Sequence, residues 1–246
     1  MPIKAKANVD KFSSDIDSTG SYIYTKDKLS SKYANARITQ EFKNFINFNN
    51  QTILDIGCGD GAYSFELLKN NPKFIHGIDP SNKAIQSAKN KRKKLSKNNQ
   101  SRISFSNKNL YDLQPSDFTH KFDLAVLRGV LHHLPDQKEA FKSISRVSNS
   151  LLIMEPNGLN PILKIIEKTS TYHIEHEEQS FTLRRIERWL NENGFNIKKY
   201  SYVNIIPFFC PDWFAKILRF VMPLFESIPL IKKLYCGQLI ILAERS

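Results

Sequence analysis

The sequence predicts an α/β fold, and three observations carry that reading. Apolar runs of strand length alternate with helix-period segments along most of the 246 residues. The first run, Ile53-Leu54-Asp55-Ile56, enters the turn Gly57-Cys58-Gly59-Asp60-Gly61, whose glycines let the main chain bend tightly and touch a ligand. The next run, Phe74-Ile75-His76-Gly77-Ile78, ends in an acid, Asp79. A chain of this length with 41% hydrophobic residues buries one sizeable core and lies near the upper size for one domain.

Each element has its own pattern. Residues 1 to 29 are polar and loosely held, with Tyr22-Ile23-Tyr24 as a segment able to fold over a ligand. Ser30 reads as an N-cap, and Ile38, Phe42, Phe45 and Ile46 share one face of the helix it starts. Residues 62–68 form the helix after the glycine turn, and Ser81 caps a helix through Ile85 and Ala88. Ile103-Ser104-Phe105 is the third strand, residues 122–127 the fourth and residues 151–154 the fifth. Asp136 caps a helix carrying Phe141, Ile144 and Val147; Thr182 precedes one carrying Ile186, Trp189 and Leu190, stopped by Gly194. Residues 195–205 and 239–243 are the last two strands.

The glycine turn admits two ligand classes. Gly57, Gly59 and Ala62 fit the dinucleotide spacing, with Asp79 ~20 residues on for the ribose. Asp55 argues the other way, because a carboxylate below the turn repels a pyrophosphate and favours a cation such as the α-ammonium and sulfonium of S-adenosylmethionine. Asp55 as a plain turn cap is the structural alternative.

The Asp-Ile-Gly-Cys-Gly turn, the Gly-Ile-Asp-Pro strand end, Asn109-Leu110 and Val130-Leu131-His132-His133-Leu134 together resemble the class I S-adenosylmethionine-dependent methyltransferases, in particular the type 11-like group. The resemblance is strong over residues 50 to 155 and thinner from Gln179-Ser180-Phe181-Thr182 to Gly194-Phe195. It implies a Rossmann-like, mostly parallel sheet of seven strands with helices on both faces, and S-adenosylmethionine as cofactor across the strand carboxyl ends. By carry-over, Asp55, Ile56, Gly57, Cys58 and Gly59 hold the methionine portion, Asp79 and Pro80 the ribose side, Asn109 and the Leu110 backbone the adenine, and the main chain near Arg128 the amino-acid end. Many relatives have Asp where Asn109 stands; the Asn carbonyl still offers an acceptor.

Within one domain, 1–246, this divides the chain into an N-terminal cap (1–48), a cofactor core (49–155) and substrate-side insertions at 156–180 and 207–238. Loops leaving the carboxyl ends of the strands border the site, so both insertions face the acceptor. The first contains a helix starting at Pro161, then His173, Glu175 and His176; two histidines among acids at this spacing do not make a metal site, and no metal is expected. In the second, Phe214, Ile217, Leu218, Val221, Phe225 and Ile228 follow a helical stripe with Lys216 and Arg219 facing away, interrupted by Pro211, Pro223 and Pro229. It is too broken to span a bilayer, and reads either as a lid on the core or as a face for an anionic membrane surface.

For chemistry, methyl transfer needs orientation more than a base, but a hydroxyl acceptor would use a histidine. His132 and His133 follow the fourth strand; successive residues on a turn point apart, so one of them should face the pocket. The resemblance makes His133 structural, leaving His132 with Arg128 for the acceptor.

The formal charge is +12, and residues 83 to 108 hold nine basic residues and no acid. Nucleic acid is disfavoured nevertheless, because residues 128–131 read Arg-Gly-Val-Leu where amino-methylating nucleic-acid enzymes carry Asn/Asp-Pro-Pro-aromatic, and no Pro-Cys nucleophile follows a core strand. A small or lipid-linked acceptor fits better. An RNA methyltransferase, a nicotinamide-dependent oxidoreductase and a non-catalytic cofactor-binding scaffold are the rivals. Three widely spaced cysteines, Cys58, Cys210 and Cys236, indicate neither a disulfide framework nor a zinc site, and residues 1–10 lack a signal-peptide core. A cytoplasmic location, with peripheral membrane contact as an option, is expected.

Overall fold

The computed structural model describes residues 28–169 and 179–245; Tyr22-Ile23-Tyr24 and the His173, Glu175 and His176 group lie outside them. The chain runs α1 (Leu29–Phe45), β1 (Thr52–Ile56), α2 (Ala62–Leu68), β2 (Phe74–Asp79), α3 (Asn82–Arg92), α4 (Lys97–Ser101) and β3 (Ile103–Asn107). It continues through β4 (Leu124–Arg128), α5 (Gln137–Ser145), β5 (Ser150–Pro156), α6 (Pro161–Thr169), α7 (Leu183–Asn191), β6 (Phe195–Val203), α8 (Asp212–Ser227), α9 (Pro229–Tyr235) and β7 (Gln238–Arg245). The sheet order is β3-β2-β1-β4-β5-β7-β6, parallel except for β7, which is antiparallel to both neighbours. This is the Rossmann-like seven-stranded sheet that the sequence predicts.

Period-two alternation splits the core into two layers. Ile53, Ile75, Val126 and Leu152 face α1, α2 and α3, where Ile38, Phe42, Leu67 and Ile85 pack on them. Leu54, Leu127 and Ile153 face the other way, against Phe141 and Ile144 of α5 and Ile186 and Leu190 of α7. Ser81, Asp136 and Thr182 cap their helices as expected, accepting from the backbone N–H of Ala84, Glu139 and Arg185. Successive connections lead away from β1 on one side and from β4 on the other, so the carboxyl ends of β1 and β4 border a crevice.

Several local expectations change. Ser30 is not the cap of α1: the helix begins two residues earlier, with Lys28 at the cap position and no side-chain cap, and the Ser30 and Ser31 hydroxyls each donate to the Phe208 carbonyl at 2.8 Å. The serines are spent on holding the loop after β6 against α1. The sixth strand stops at Val203 because Asn204 adopts φ 61°, which ends extended pairing. Pro223 lies inside α8, and the break falls at Ile228 before Pro229, where the residue preceding a proline is pushed to extended geometry.

The two insertions are joined to each other and to the cap. Asn157 Nδ2 donates to the Cys236 carbonyl at 2.8 Å and Asn160 Nδ2 to that of Tyr235 at 3.0 Å. Arg37 of α1 donates from Nη2 and Nε to Glu226 of α8 at 2.7 and 2.9 Å, and also pairs with Glu41. Among the described residues no helix is long and apolar enough to cross a membrane.

These ties differ in worth by their solvent exposure. Replacing Arg37 with Met strands the half-buried Glu226 carboxylate and is expected to lower unfolding free energy by about 2 kcal/mol. Lys138→Met, which removes the exposed pair with Glu192, is expected to change it by less than about 0.5 kcal/mol. Urea titration of both variants checks the contrast.

Candidate active site

Three positive-φ glycines shape the turn after β1: Gly57 (68°), Gly59 (54°) and Gly61 (80°). A Cβ on Gly57 would stand 2.7 Å from Val130 Cγ2, so the position tolerates only glycine on both steric and torsional grounds. The turn is fastened to β2, where Gly57 and Cys58 donate to the Ile78 carbonyl at 2.9 and 3.1 Å. Asp79 then closes the corner by accepting from Gly59 N–H at 3.0 Å and Ser81 N–H at 2.8 Å. Burial raises its pKa above the usual carboxylate value, against the pull of those two N–H groups.

A cavity of about 760 Å³ opens over this corner. Ile56, Gly57, Cys58 and Gly59 after β1, Asp79 and Pro80 after β2, Asn109 and Leu110 after β3, and Arg128, His132 and His133 at and after the end of β4 all line it. Ile162, Leu163, Ile166, Ile206 and Phe208 bring both insertions over it.

Asp55 is the exception among the expected cofactor residues. It does not line the cavity; its carboxylate accepts from the Ser64 hydroxyl of α2 and is 3% exposed. Burial pushes its pKa up to about 6, although the Ser64 hydrogen bond and the Arg128 charge oppose the shift. The acid therefore fixes α2 beneath the turn. Asn109 also differs in detail, since its carbonyl oxygen, expected to face adenine, accepts from Tyr111 N–H at 3.0 Å and caps the short turn that follows.

Arg128 departs from the acceptor role. Its guanidinium folds back onto α1, donating to Asn35 Oδ1 at 2.9 Å and Thr39 Oγ1 at 3.2 Å, and stacks 3.7 Å from the Tyr63 ring centroid. Coulombic contact with Glu66 at 3.4 Å completes the set. These groups hold the guanidinium as a strut between β4 and the cap. Among the described residues its Nε is buried without a hydrogen-bond partner.

His132 is where chemistry concentrates. Its Nδ1 lies 2.6 Å from Glu155 Oε2, and Glu155, fully buried at the end of β5, accepts at Oε1 from Val130 N–H at 2.9 Å and Leu131 N–H at 2.7 Å. A carboxylate at Nδ1 selects the tautomer with the proton there and the lone pair at Nε2. His133 lines the cavity as well, because residues 131–133 form a tight turn in which the two imidazole centroids are 3.8 Å apart. The expectation that only one histidine faces the pocket is thereby corrected. Glu155 was missed in the sequence, although an acid closing a core strand is the same signal that marks Asp79. No group of three or more His, Cys, Asp or Glu side chains among the described residues is arranged to hold a metal.

Residues 47–196 match the family described as methyltransferase domain, and the chain belongs to that family. A similar curated protein is the tRNA U34 carboxymethyltransferase of Aliarcobacter butzleri, 31% identical over 161 residues, covering 61% of this chain and 49% of that protein. The chain thus spans about half the length of this relative. The ubiquinone biosynthesis O-methyltransferase of Neisseria meningitidis is 23% identical over 107 residues, 44% of this chain and 41% of that one. Among solved structures, the magnesium protoporphyrin IX methyltransferase of Synechocystis with bound SAH has TM-score 0.66 at 17% identity, covering 99% of this chain and 100% of that one. The geranyl diphosphate C-methyltransferase of Streptomyces coelicolor has the same TM-score, 0.66, at 12% identity over 100% and 99% of the two chains. At these identities the structures share the fold.

The residues present fit S-adenosylmethionine. The Gly57 cradle keeps clear of side chains, Asp79 is a buried acceptor, and Arg128, on the cavity wall, carries a buried Nε donor that has no hydrogen-bond partner among the described residues.

The raised pKa of Asp55 has a definite sign in folding. Its stabilising contribution is complete below the ordinary carboxylate pKa of about 3.9 and is lost as pH rises through about 6. Asp55→Asn keeps an acceptor for Ser64 and removes this titration. The variant is expected to gain about 2 kcal/mol relative to wild type between pH 4 and pH 7; parallel denaturant curves across that range would show no such divergence if the carboxylate were solvated.

Proposed function

We propose that this chain transfers a methyl group from S-adenosylmethionine to a small amphiphilic acceptor, with His132 as the proton-accepting group. The observation that carries the reading is the buried Glu155–His132 pair under an apolar roof drawn from both insertions. When bound, the cofactor supplies an activated methyl carbon on a sulfonium. Gly57 and Gly59 would hold its methionine portion, Asp79 its ribose hydroxyls, and the Leu110 backbone its adenine. Arg128 Nε would donate to the amino-acid end while the rest of the guanidinium keeps α1 in place.

Glu155 fixes the His132 ring and its tautomer, so Nε2 can take the proton from an acceptor hydroxyl or amine as it is methylated. Ile162, Ile166, Ile206 and Phe208 exclude water and offer dispersion contacts to an apolar acceptor. Four polar residues of the basic 83–108 stretch are already engaged: Arg92 with the carbonyls of Gln100 and Ile103, Arg102 with that of Pro72, Lys91 with Asp60 and Lys108 with Asp117. The two ion pairs offset part of the charge, and the carbonyl contacts hold the two guanidinium groups to the protein's own backbone.

RNA is the second reading, favoured by the name of the Aliarcobacter relative and by the net charge of +12. Incubation with methyl-labelled S-adenosylmethionine, bulk tRNA and an organic extract of cell metabolites separates the two. Label in the extractable fraction supports the small acceptor; label confined to tRNA overturns it.

Two further outcomes are expected. Asp79→Ala should weaken S-adenosylmethionine binding by roughly 1.5–3 kcal/mol by calorimetry, the scale for hydrogen bonds to a charged group. His132→Ala should lower kcat by about 10²–10⁴ while leaving cofactor affinity nearly intact, and Glu155→Gln should follow it in part. Equal losses in kcat and cofactor affinity would make His132 a wall of the cofactor pocket.

A further inference from the structure

Helix α8 is turned inside out relative to an ordinary surface helix. Trp213, Ile217, Phe220 and Leu224 recur at spacings of four, three and four, so they form one row along the helix. They are 65, 52, 86 and 62% exposed. The opposite side carries the fully buried Ala215 and Glu226, the carboxylate clamped by Arg37. The orientation is therefore fixed by an ion pair and by packing, and it directs the apolar row to solvent, where polar residues normally stand. This differs from the stripe that the sequence suggests, of which Phe214, Leu218, Val221 and Phe225 lie to one side of the row.

The surface does not end with α8. Helix α9 contacts both α8 and α6, and Leu230 on α9 and Ile165 on α6 are 67 and 63% exposed. Lys216, Lys232 and Lys233 lie on α8 and α9, against two acids, Asp212 and Glu226, of which Glu226 is matched by Arg37, while Arg219 turns inward over the Tyr33 ring of α1 at 4.2 Å. A second copy of the chain would bring like charges together on this face; an anionic surface would not. Of these helices, α6 and α9 also reach the cavity, through Ile162, Ile166 and Tyr235.

We propose that the outer face of α8, α9 and α6 docks on an anionic lipid bilayer, with α8 lying in the interface and the cavity mouth turned toward acceptor dissolved in the membrane. Docking itself is independent of the acceptor; delivery of the acceptor rests on the amphiphilic-acceptor reading above. An apolar row with basic neighbours on a helix too short and too bent to span is the arrangement that interfacial binding uses.

The test uses full-length protein and vesicles of phosphatidylcholine with or without added phosphatidylglycerol. Wild type should float with the anionic vesicles at low salt and at least about tenfold less at high salt, while Trp213 emission shifts to the blue. Phe220→Ser with Leu224→Ser should abolish flotation without changing the melting temperature, because both side chains are exposed. Lys216→Glu with Lys233→Glu should weaken it at least about tenfold. Wild type that stays unbound at low salt overturns the proposal, as does a dimer in light scattering that Phe220→Ser disperses. Methyl transfer to a dissolved acceptor, measured on the same variants, reports separately on the functional reading.

Discussion

Glu155 has no solvent exposure, and its two oxygens take three partners: the backbone N–H groups of Val130 and Leu131, and His132 Nδ1. A carboxylate in that position is tolerable only when its lone pairs are satisfied, and here satisfying them organises the His132 wall of the cavity. The hydrogen bonds draw the chain leaving β4 onto the end of β5. Val130 is thereby placed where only a glycine at position 57 can pass it. The cofactor turn and the histidine are thus parts of one packing arrangement centred on a buried acid.

The end of β4 itself is held by a cation. Arg128 leaves the adjoining strand end and reaches α1, so the helical cap is fastened to the sheet at the very residue whose backbone borders the cavity. Tyr63 shares Asn35 with it and stacks on it, and burial pushes the Tyr63 hydroxyl pKa up. Cap, first turn and fourth strand consequently move together or not at all, which suits a site whose task is alignment.

Much of this was legible in the sequence because it rests on local pattern. Strand runs, the Ser81, Asp136 and Thr182 caps, the positive-φ glycines and the acid ending β2 each depend on neighbouring residues, and each stands where the pattern puts it. What was not legible depends on partners distant in the chain. Asp55 turned away because Ser64, nine residues later, offers its hydroxyl from α2. Arg128 became a strut because Asn35 and Thr39 face it across 93 and 89 residues. Glu155 shows its role only once β4 and β5 lie side by side and bring the turn after β4 onto it. The apolar row of α8 shows the same limit: periodicity reveals a striped helix, but only the Arg37–Glu226 pair says which way the stripe faces.

The second insertion also leaves and re-enters the sheet at nearly one point. Gly237 N–H donates to the Asn204 carbonyl at 2.6 Å, and Asn204 Nδ2 donates to Gln238 Oε1 at 2.8 Å, so residues 205–236 hang from a hydrogen-bonded stem between β6 and β7. Closing such a loop costs entropy that grows only logarithmically with its length, so the sheet is nearly indifferent to what the stem carries. The excursion can then be exchanged as a cassette while the turn after β1 and the Glu155–His132 pair keep their geometry.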